Sequence, residues 1–295
     1  MPTLKEIKGR IASVQNTLKI TSAMKLVSSA KLRKAQTAIE SMRPYQAKLQ
    51  EILATAGSSS APVIPSSSSV IPGSSSVIPG SDRESPTVVI ALASNSSLCG
   101  GFNANAITKA KEVLREHPDA TVYSIGRKMA DAMRKAGHPS PQDFTSLSEH
   151  PAYGPAADLA EKLMEEYRDG KIASVLLVYN HFVSTGKQVP VVEELFSVIS
   201  SEAEGVVEKS ASDIILEPSR KELLEALYPK TIKLKLFAAL LDSAAAEHAA
   251  RTVAMQTATD NGEDLLAELT LQYNKGRQQK ITSEILDLAG GQARD

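Results

Sequence analysis

Residues 4–18 read LKEIKGRIASVQNTL, and this stretch decides the fold. Its apolar residues recur at alternating intervals of three and four positions: Leu4, Ile7, Ile11, Val14 and Leu18. Such spacing keeps the apolar side chains on one side of a helix, as a seam that faces a single partner helix. The pattern is typical of a coiled coil, although the core of a compact helical bundle shows the same periodicity.

This first helix is predicted to be long. The spacing of Thr3 and Glu6 is that of a capping box, which starts the helix near Leu4, and no proline follows before Pro44. We expect the helix to run to about Leu53, a rise of about 75 Å. The seam continues through Thr21, Met24, Val27 and Leu32. Because few globular cores are so long, the length favours a rod in which a second long helix buries the seam.

That second helix is expected at the other end of the chain. Ser219 and Glu222 repeat the capping-box spacing, and a short helix there should end before Tyr228-Pro229. A longer helix is predicted from Lys230 to about Ala289. Its seam residues are Leu266, Leu269, Tyr273, Ile281, Ile285 and Leu288. Its middle is rich in alanine, which would let a partner helix come close: Ala238, Ala239, Ala244, Ala245, Ala246, Ala249, Ala250, Ala254 and Ala258. An antiparallel pair is the simplest arrangement that buries both seams.

A low-complexity segment follows the first helix. Residues 57–86 are dominated by Ser, Pro and Gly and carry Val-Ile-Pro three times. This composition predicts a flexible linker. The repeated Val-Ile-Pro is either a docking peptide or a tolerated surface insertion.

The rest of the middle segment alternates apolar, β-branched runs with helical stretches. Strands are predicted at 87–93, 121–125 and 173–179, with 189–199 as a further strand pair, and helices at 104–116, 127–136 and 155–167. This alternation predicts a small Rossmann-like α/β domain with a largely parallel sheet. The fold class is therefore α+α/β: a long antiparallel coiled coil of the terminal helices with an inserted α/β domain. The predicted boundaries are 1–56, 57–86, 87–217 and 218–295.

The first strand leads into residues 94–103, which read SNSSLCGGFN. A glycine-containing turn that opens a helix is where a doubly wound sheet would hold a phosphate. The turn lacks both the G-x-G-x-x-G and the G-x-x-x-x-G-K-[ST] pattern, so a structural tight turn is the competing interpretation. Cys99 is either a nucleophile whose base the sequence does not identify or a small buried residue.

Composition excludes several classes of function. The 33 basic and 34 acidic residues leave a formal net charge of −1, so no global field selects a partner. A lone cysteine fits a reducing compartment, and neither a signal peptide nor a membrane span is expected. The five histidines lack ligand spacing, so we expect no metal and no cofactor.

Charge is nevertheless uneven along the chain. Residues 1–50 hold seven Lys and three Arg against Glu6 and Glu40. Three interpretations are open: nucleic-acid binding, a solvated helix face, or a helix that passes near acidic protein surfaces. The last would use Lys25, Lys31, Arg33 and Lys34. Tyr45 is the only aromatic residue of the segment, which disfavours nucleic acid.

Three motifs, in order along the chain, resemble the gamma subunits of F-type ATP synthases. They are LKEIKGRIASVQNTLKITSAMKLV at 4–27, LCGGFN at 98–103, and AMQTATDN at 254–261 followed by YNKGRQQKITSEI at 273–285. The resemblance implies a non-catalytic rotor shaft that transmits rotation of a membrane ring to a hexamer of alpha and beta subunits during proton-driven ATP synthesis. It also implies contact with an epsilon subunit and the membrane c-ring, and a peripheral place on the cytoplasmic face of a bacterial inner membrane.

The resemblance further implies where this shaft touches its surroundings. The contacts with beta subunits and within the shaft would be Met24, Lys25, Arg251, Arg277, Gln278, Thr282 and Glu284. Glu217 would lie in the lower shaft near the ring, although aromatic residues often found just before it are here Ile214, Ile215 and Leu216. None of these residues is expected to be catalytic.

The sequence departs from the family pattern just before LCGGFN. The usual Ser-Asp-Arg-Gly reads Ser94-Asn-Ser-Ser97, which removes an ion pair or hydrogen-bond anchor from the turn. Two further functions compete with the shaft: an enzyme that uses the α/β domain, and a coiled-coil scaffold that binds nucleic acid.

Overall fold

The computed structural model of the chain describes residues 3–57, 86–196 and 219–291. The elements in chain order are α1 Leu4–Gly57, β1 Val88–Leu92, α2 Phe102–Glu116, β2 Thr121–Ile125, α3 Arg127–Lys135, α4 Thr145–Glu149, α5 Tyr153–Arg168, β3 Val175–Ser184, β4 Lys187–Glu194 and α6 Arg220–Gly291. Two very long terminal helices thus flank a segment of strands and short helices. Tertiary contacts group the chain into a terminal unit, Met1–Ala30 with Arg251–Asp295, and a central unit, Lys31–Ala250.

The start of α1 confirms the predicted capping box. The backbone N–H of Thr3 donates to Oε2 of Glu6 at 2.8 Å, and the N–H of Glu6 donates to Oγ1 of Thr3 at 3.3 Å. Two N–H groups that have no partner within the helix are satisfied in this way. The helix then runs through Pro44 to Gly57.

The predicted break in the C-terminal helix is wrong. Ser219 caps the helix as expected, since its Oγ accepts from the N–H of Glu222 at 3.3 Å. The helix nevertheless continues through Pro229 without interruption. Packing offsets the hydrogen bond that proline removes: Ile232 is fully buried, and the hydroxyl of Tyr228 donates to the carbonyl of Phe196 at 2.6 Å.

The central unit is built on a four-stranded sheet in the order β2-β1-β3-β4. The strands β2, β1 and β3 are parallel, and β4 returns from β3 as an antiparallel edge strand. The three predicted strand runs and their helices are confirmed to within a few residues. The short helix α4 was not predicted, and residues 197–199 of the proposed strand pair lie outside the described residues.

Both faces of this sheet are covered, which explains why β1 is apolar throughout. Val88, Ile90 and Leu92 pack in a core with α5 and the first part of α6. Val89 and Ala91 face a second core with α2 and α3. Every residue of β1 is buried, as expected for a central parallel strand between two helical layers.

Small side chains in the middle of α6 let its neighbours come close, as predicted. Within the central unit, Ala245 and Ala249 form a cluster with Leu32 of α1 and Phe182 of β3. Near the C-terminal end of α1, Leu49 and Leu53 pack with Leu234 of α6. Short side chains reduce the distance at which two helix backbones can pack.

The seam of α1 differs from prediction at one position. Val27 is 57% exposed, whereas Ser28 is 3% exposed. The buried face continues from Thr21 in steps of four and three, which pass through Lys25 and Ser28, so Val27 falls one residue off the seam. The expectation that Val27 is buried is therefore wrong, because it followed residue type rather than helix geometry.

Asn95 anchors the turn after β1. Its Oδ1 accepts from the N–H of Arg127, the first residue of α3, at 2.9 Å, and its Nδ2 donates to the carbonyl of Thr145 at 2.9 Å. The hydrogen-bond anchor thought lost with the family's usual acidic residue is thus present, because an amide both accepts and donates.

Asp242 of α6 fastens the end of β3. Its Oδ2 lies 2.5 Å from Nδ1 of His181, and its Oδ1 accepts from the N–H of Phe182 at 3.2 Å. Burial raises the pKa of the Asp242 carboxyl, and the hydrogen bond with His181 opposes that rise. The carboxyl therefore connects sheet and helix at an electrostatic cost.

No helix among the described residues is both long and apolar enough to cross a membrane.

We predict that Asp242→Asn changes how stability depends on pH. The folded chain holds the Asp242 proton to higher pH than the unfolded chain does, so the stability linked to this group falls as pH rises from 3.8 through the raised pKa. Urea unfolding at several pH values should show the free energy of unfolding of the original chain declining relative to that of Asp242→Asn. Asp119→Asn, at an exposed site, controls for loss of one charge. A difference that stays constant with pH would contradict the prediction.

We also predict that Asn95→Ala lowers the free energy of unfolding by about 1–3 kcal/mol, because a helix N–H and a carbonyl both lose their partner. Asn95→Asp should cost less, since a carboxylate still accepts from Arg127 and favours the helix N-terminus. Ser97→Ala in the same turn is the exposed control. Equal losses for Ala and Asp would show that the bond to Arg127 contributes nothing.

Candidate contact surface of the paired terminal helices

In the terminal unit, the start of α1 and the last part of α6 lie side by side in opposite directions. Leu4 contacts Gly276, Leu18 contacts Gly262, and the hydroxyl of Thr21 accepts a hydrogen bond from that of Thr259. As the residue number rises on α1, it falls by a similar amount on α6. The two segments are therefore antiparallel, as predicted.

The buried seam of α6 has the spacing that such a pair needs. Its least exposed residues are Met255, Thr259, Gly262, Leu266, Leu269, Tyr273 and Gly276. They recur at intervals of four and three, which keeps them on one side of the helix. The predicted seam residues Leu266, Leu269 and Tyr273 belong to this face, and Leu269 is buried.

A polar layer interrupts the seam. Thr259 donates its hydroxyl proton to Oγ1 of Thr21 at 2.9 Å, and Thr21 donates its own to the carbonyl of Leu18 at 3.1 Å. Both threonines are buried, and both hydroxyl protons have acceptors. The layer therefore avoids the cost of an unpaired buried hydroxyl group.

Met24 and Lys25, two of the predicted contact residues, sit at the edge of this face. Both are half-buried, and the ammonium group of Lys25 donates to Oε1 of Gln256 on α6 at 2.8 Å. Lys25 thus makes a contact within the helix pair. The sequence analysis did not assign Gln256, although it lies inside the AMQTATDN motif.

Arg251 differs from the other predicted contact residues, because it is only 7% exposed. Its burial sets it apart from Lys31, Arg33 and Lys34 on α1, which are exposed.

The end of α6 extends beyond the last contact with α1. Gly276 already faces Leu4, the first residue of α1, so residues after Gly276 have no α1 helix beside them. The predicted residues Arg277, Gln278, Thr282 and Glu284 all lie here and are exposed. We define residues 277–286 as the tip.

Apolar side chains at the tip are exposed as well. Ile285 and Leu286 are 60% and 66% exposed, and Ile281 is nearly half exposed. The expectation that Ile281 and Ile285 continue the seam against α1 is wrong, because α1 begins too late in the sequence to reach them. The side chain of Leu288 lies outside the described residues.

The tip is helical with ordinary local bonds. The hydroxyl of Thr282 donates to the carbonyl of Gln278 at 2.9 Å, and Lys280 lies 3.7 Å from Glu284 one turn later. Such an exposed ion pair contributes little to stability. The tip therefore presents both charged and apolar groups to its surroundings.

Glu217 and the segment just before it lie outside the described residues, and so do residues 58–85 of the predicted linker.

The turn at residues 94–103 is filled by its own side chains. Oδ1 of Asn103 accepts from both the N–H and the hydroxyl of Ser94, at 3.0 and 2.9 Å. Cys99 and Phe102 are buried against Ala246 and Ala250 of α6. A phosphate at this turn would have to displace these contacts, so the structure favours a structural turn.

Cys99 is buried, and its sulfur accepts from Nδ2 of Asn103 at 3.1 Å. These surroundings are those of a small core residue rather than an accessible nucleophile. Within the part of the chain that the structure describes, no group of three or more His, Cys, Asp or Glu residues could hold a metal ion.

Sequence reasoning missed the two glycines that face α1. Gly262 and Gly276 occupy seam positions where an apolar residue is expected, so the pattern alone gave no reason to single them out. Glycine at regular seam spacing in a long helix was the available signal, because glycine lowers helix stability and needs a packing reason.

Comparison with known proteins gives the family. A family model described as ATP synthase matches residues 3–293. The chain is 45% identical over 298 residues to the ATP synthase gamma chain of Phocaeicola vulgatus, with 99% of each chain covered. It is 43% identical to that of Bacteroides thetaiotaomicron and 38% identical to that of Pelotomaculum thermopropionicum, again over 99% of each chain.

Solved structures share the fold at 19% identity. A chain of the Euglena gracilis mitochondrial ATP synthase (OSCP/F1/c-ring, rotational state 3) aligns with a TM-score of 0.63 over 98% of this chain and 93% of that one. A chain of the rotor of the same enzyme gives 0.59 over 94% and 98%. The central stalk/c-ring structure from Tetrahymena thermophila gives 0.53 over 81% and 99%.

Near-complete coverage by gamma chains at up to 45% identity, together with the paired terminal helices, shows that the chain belongs to the family of ATP synthase gamma chains, the non-catalytic shaft subunits of the rotor.

Proposed function

We propose that α1 and α6 wind around each other as an antiparallel coiled coil that turns inside a hexamer of alpha and beta subunits. In this proposal residues 1–56 and 218–295 form the shaft, residues 57–86 are a linker, and residues 87–217 form an inserted Rossmann-like domain. The observation that carries the proposal is the alternating seam of α6, whose glycines and Thr259 face the seam of α1. A heptad-spaced seam on both helices is what supercoiling requires.

The exposed surface of the helix pair is the part that would act on the catalytic subunits. A shaft with different side chains on each side presents a different face to each of three surrounding sites. Each site is then biased toward a different conformation, and rotation carries every site through all three. Because about 1.4 kcal/mol changes a conformational ratio tenfold, a few contacts are enough.

Among the candidate residues, the tip is the strongest contact with the alpha and beta subunits. Arg277, Gln278, Thr282 and Glu284 are exposed there, and Ile285 and Leu286 add exposed apolar area. Exposed apolar groups beside charged ones are typical of a surface that meets another protein. Met24 and Lys25 would form a second contact, and buried Arg251 would act within the shaft.

The central unit is the part of the chain that we assign to contacts near the membrane. In this proposal it meets the epsilon subunit and the membrane c-ring, with Glu217 near the ring, on the cytoplasmic face of a bacterial inner membrane. Solved relatives described as a rotor and as a central stalk with a c-ring support this assignment. The filled turn at residues 94–103 supports a structural rather than a catalytic use of the α/β domain.

The proposal predicts that removing every residue after Gln272 uncouples the assembled enzyme. The deletion removes the tip and the last contact with α1, at Gly276. Coupling between sites is typically about 1–3 kcal/mol, or about 5- to 150-fold, so proton-driven ATP synthesis should fall by at least about fivefold. Torque measured on single complexes should fall as well.

A deletion of residues 292–295 is the matched control and should retain coupling. Co-purification of the truncated chain with the alpha and beta subunits shows that the complex still assembles. Unchanged coupled synthesis in an assembled complex without residues 273–295 would exclude the proposed role of the tip. Nucleotide turnover by the isolated chain would instead favour an enzyme, and salt-sensitive retention of nucleic acid a scaffold.

A further inference from the structure

Two glycines of α6 each face a leucine of α1. A Cβ atom at Gly262 would lie 2.7 Å from Cδ2 of Leu18, and one at Gly276 would lie 3.1 Å from Cδ2 of Leu4. Both distances are shorter than ordinary van der Waals contact. Each leucine therefore fills a notch that exists only because the facing residue has no side chain.

The two notches match in spacing. Leu4 and Leu18 are 14 positions apart on α1, and Gly262 and Gly276 are 14 positions apart on α6. Fourteen positions are two heptads, so both leucines point from the same side of α1 toward the same side of α6. A shift of two heptads away from the tip would leave the notch at Gly276 empty, whereas the same shift toward the tip would place Leu18 at Gly276 and Leu32 at Gly262.

The polar layer lies next to the Leu18 notch. Thr21 and Thr259 hydrogen-bond to each other only when they are opposite, and each hydroxyl also has an acceptor in its own helix, the carbonyl of Leu18 or that of Met255. A shift of one heptad toward the tip would place Thr21 against Leu266 by the same residue offset. Thr21 would then lose its hydrogen bond to Thr259 but keep the one to the carbonyl of Leu18, so the cost is one hydrogen bond between the helices.

We propose that these three contacts, Leu4–Gly276, Leu18–Gly262 and Thr21–Thr259, fix the axial register of α1 on α6. An aliphatic seam alone tolerates a one-heptad shift, because every apolar residue would meet another apolar residue. Leucine-glycine notches do not, because a one-heptad shift sets Leu18 against the full side chain of Leu269 or Met255 in place of Gly262. Polar residues within a seam set register in the same way.

Register matters here because it sets how far the tip extends past α1. A one-heptad shift moves one helix along the other by about 10 Å. This inference rests on the proposed shaft function, in which the height of the tip decides which part of the surrounding subunits it touches. The three contacts would thus be positioning contacts for torque transmission.

Paired cysteines in the full-length chain can report the register. The same offset places Val14 opposite Leu266, so Val14→Cys with Leu266→Cys reports the observed register. Val14→Cys with Tyr273→Cys, and Ile7→Cys with Leu266→Cys, report shifts of one heptad in either direction. Cys99 stays in place because it is buried, and peptide mass spectrometry identifies each disulfide.

Filling one notch is the test. Gly262→Leu should lower the ratio of in-register to shifted disulfide by about tenfold, the change expected when a coupling of about 1.4 kcal/mol between contacting residues is lost. Gly9→Leu is the matched control, because a Cβ at Gly9 meets no atom within 4 Å. That control should keep the original ratio.

Moving the notch from α6 to α1 distinguishes a change of register from a general loss of structure. Combining Gly262→Leu with Leu18→Ala puts the large side chain on α6 and the small one on α1, and it should restore the in-register disulfide as the main product. If Gly262→Leu forms none of the three disulfides and the swapped variant again forms the in-register disulfide, that result also supports the proposal. An unchanged ratio in Gly262→Leu, or no recovery in the swap, would overturn the proposal.

The outcome is separable from that of the proposed function, because cross-linking requires no ATP synthesis. A failed swap removes the register assignment and leaves the shaft role in place. Full coupling without residues 273–295 excludes the proposed role of the tip, whatever the disulfides show.

Discussion

Burial of one narrow apolar seam on each terminal helix is the constraint on which the molecule depends. Most of the stability of a helix such as α1 comes from the packing of its apolar face rather than from its own backbone hydrogen bonds and caps. In the terminal unit its seam has no sheet to pack against, so α6 must supply the apolar surface. The notches at Gly262 and Gly276 show how closely the two backbones approach, and the hydroxyl pair of Thr21 and Thr259 shows that even the polar positions are matched.

The helix α6 meets two different packing requirements along its length. In the central unit Ile232 and Leu236 complete the core on one face of the sheet, and the alanines that follow admit Leu32 and Phe182. In the terminal unit the same helix is amphipathic and leaves most of its surface exposed. A helix segment that is apolar all round is buried on all sides, whereas a one-sided apolar stripe packs against a single partner helix.

The sheet is mostly parallel and lies between helices, and the turn after its central strand β1 is used for structure. Asn103 occupies the space inside the turn, Asn95 connects it to α3 and α4, and Cys99 lies against α6. Function in this family therefore cannot be read from the topology of the sheet. The groups that remain exposed for contact with other proteins lie on the helices and at the tip, and they include Arg277 and Ile285.

Local patterns in the sequence were enough to predict much of the fold. Capping boxes, the three-four spacing around Leu4 and Leu18, and the β-branched runs each depend on neighbours only a few residues away, so they predicted the long helices, the strands and the antiparallel pairing. Tertiary structure alone decided the rest. Packing of Ile232 carries α6 through Pro229, and the start of α1 opposite Gly276 leaves Ile281 and Ile285 exposed. Each of these outcomes depends on residues far apart in the chain, whose distances a periodic pattern does not contain.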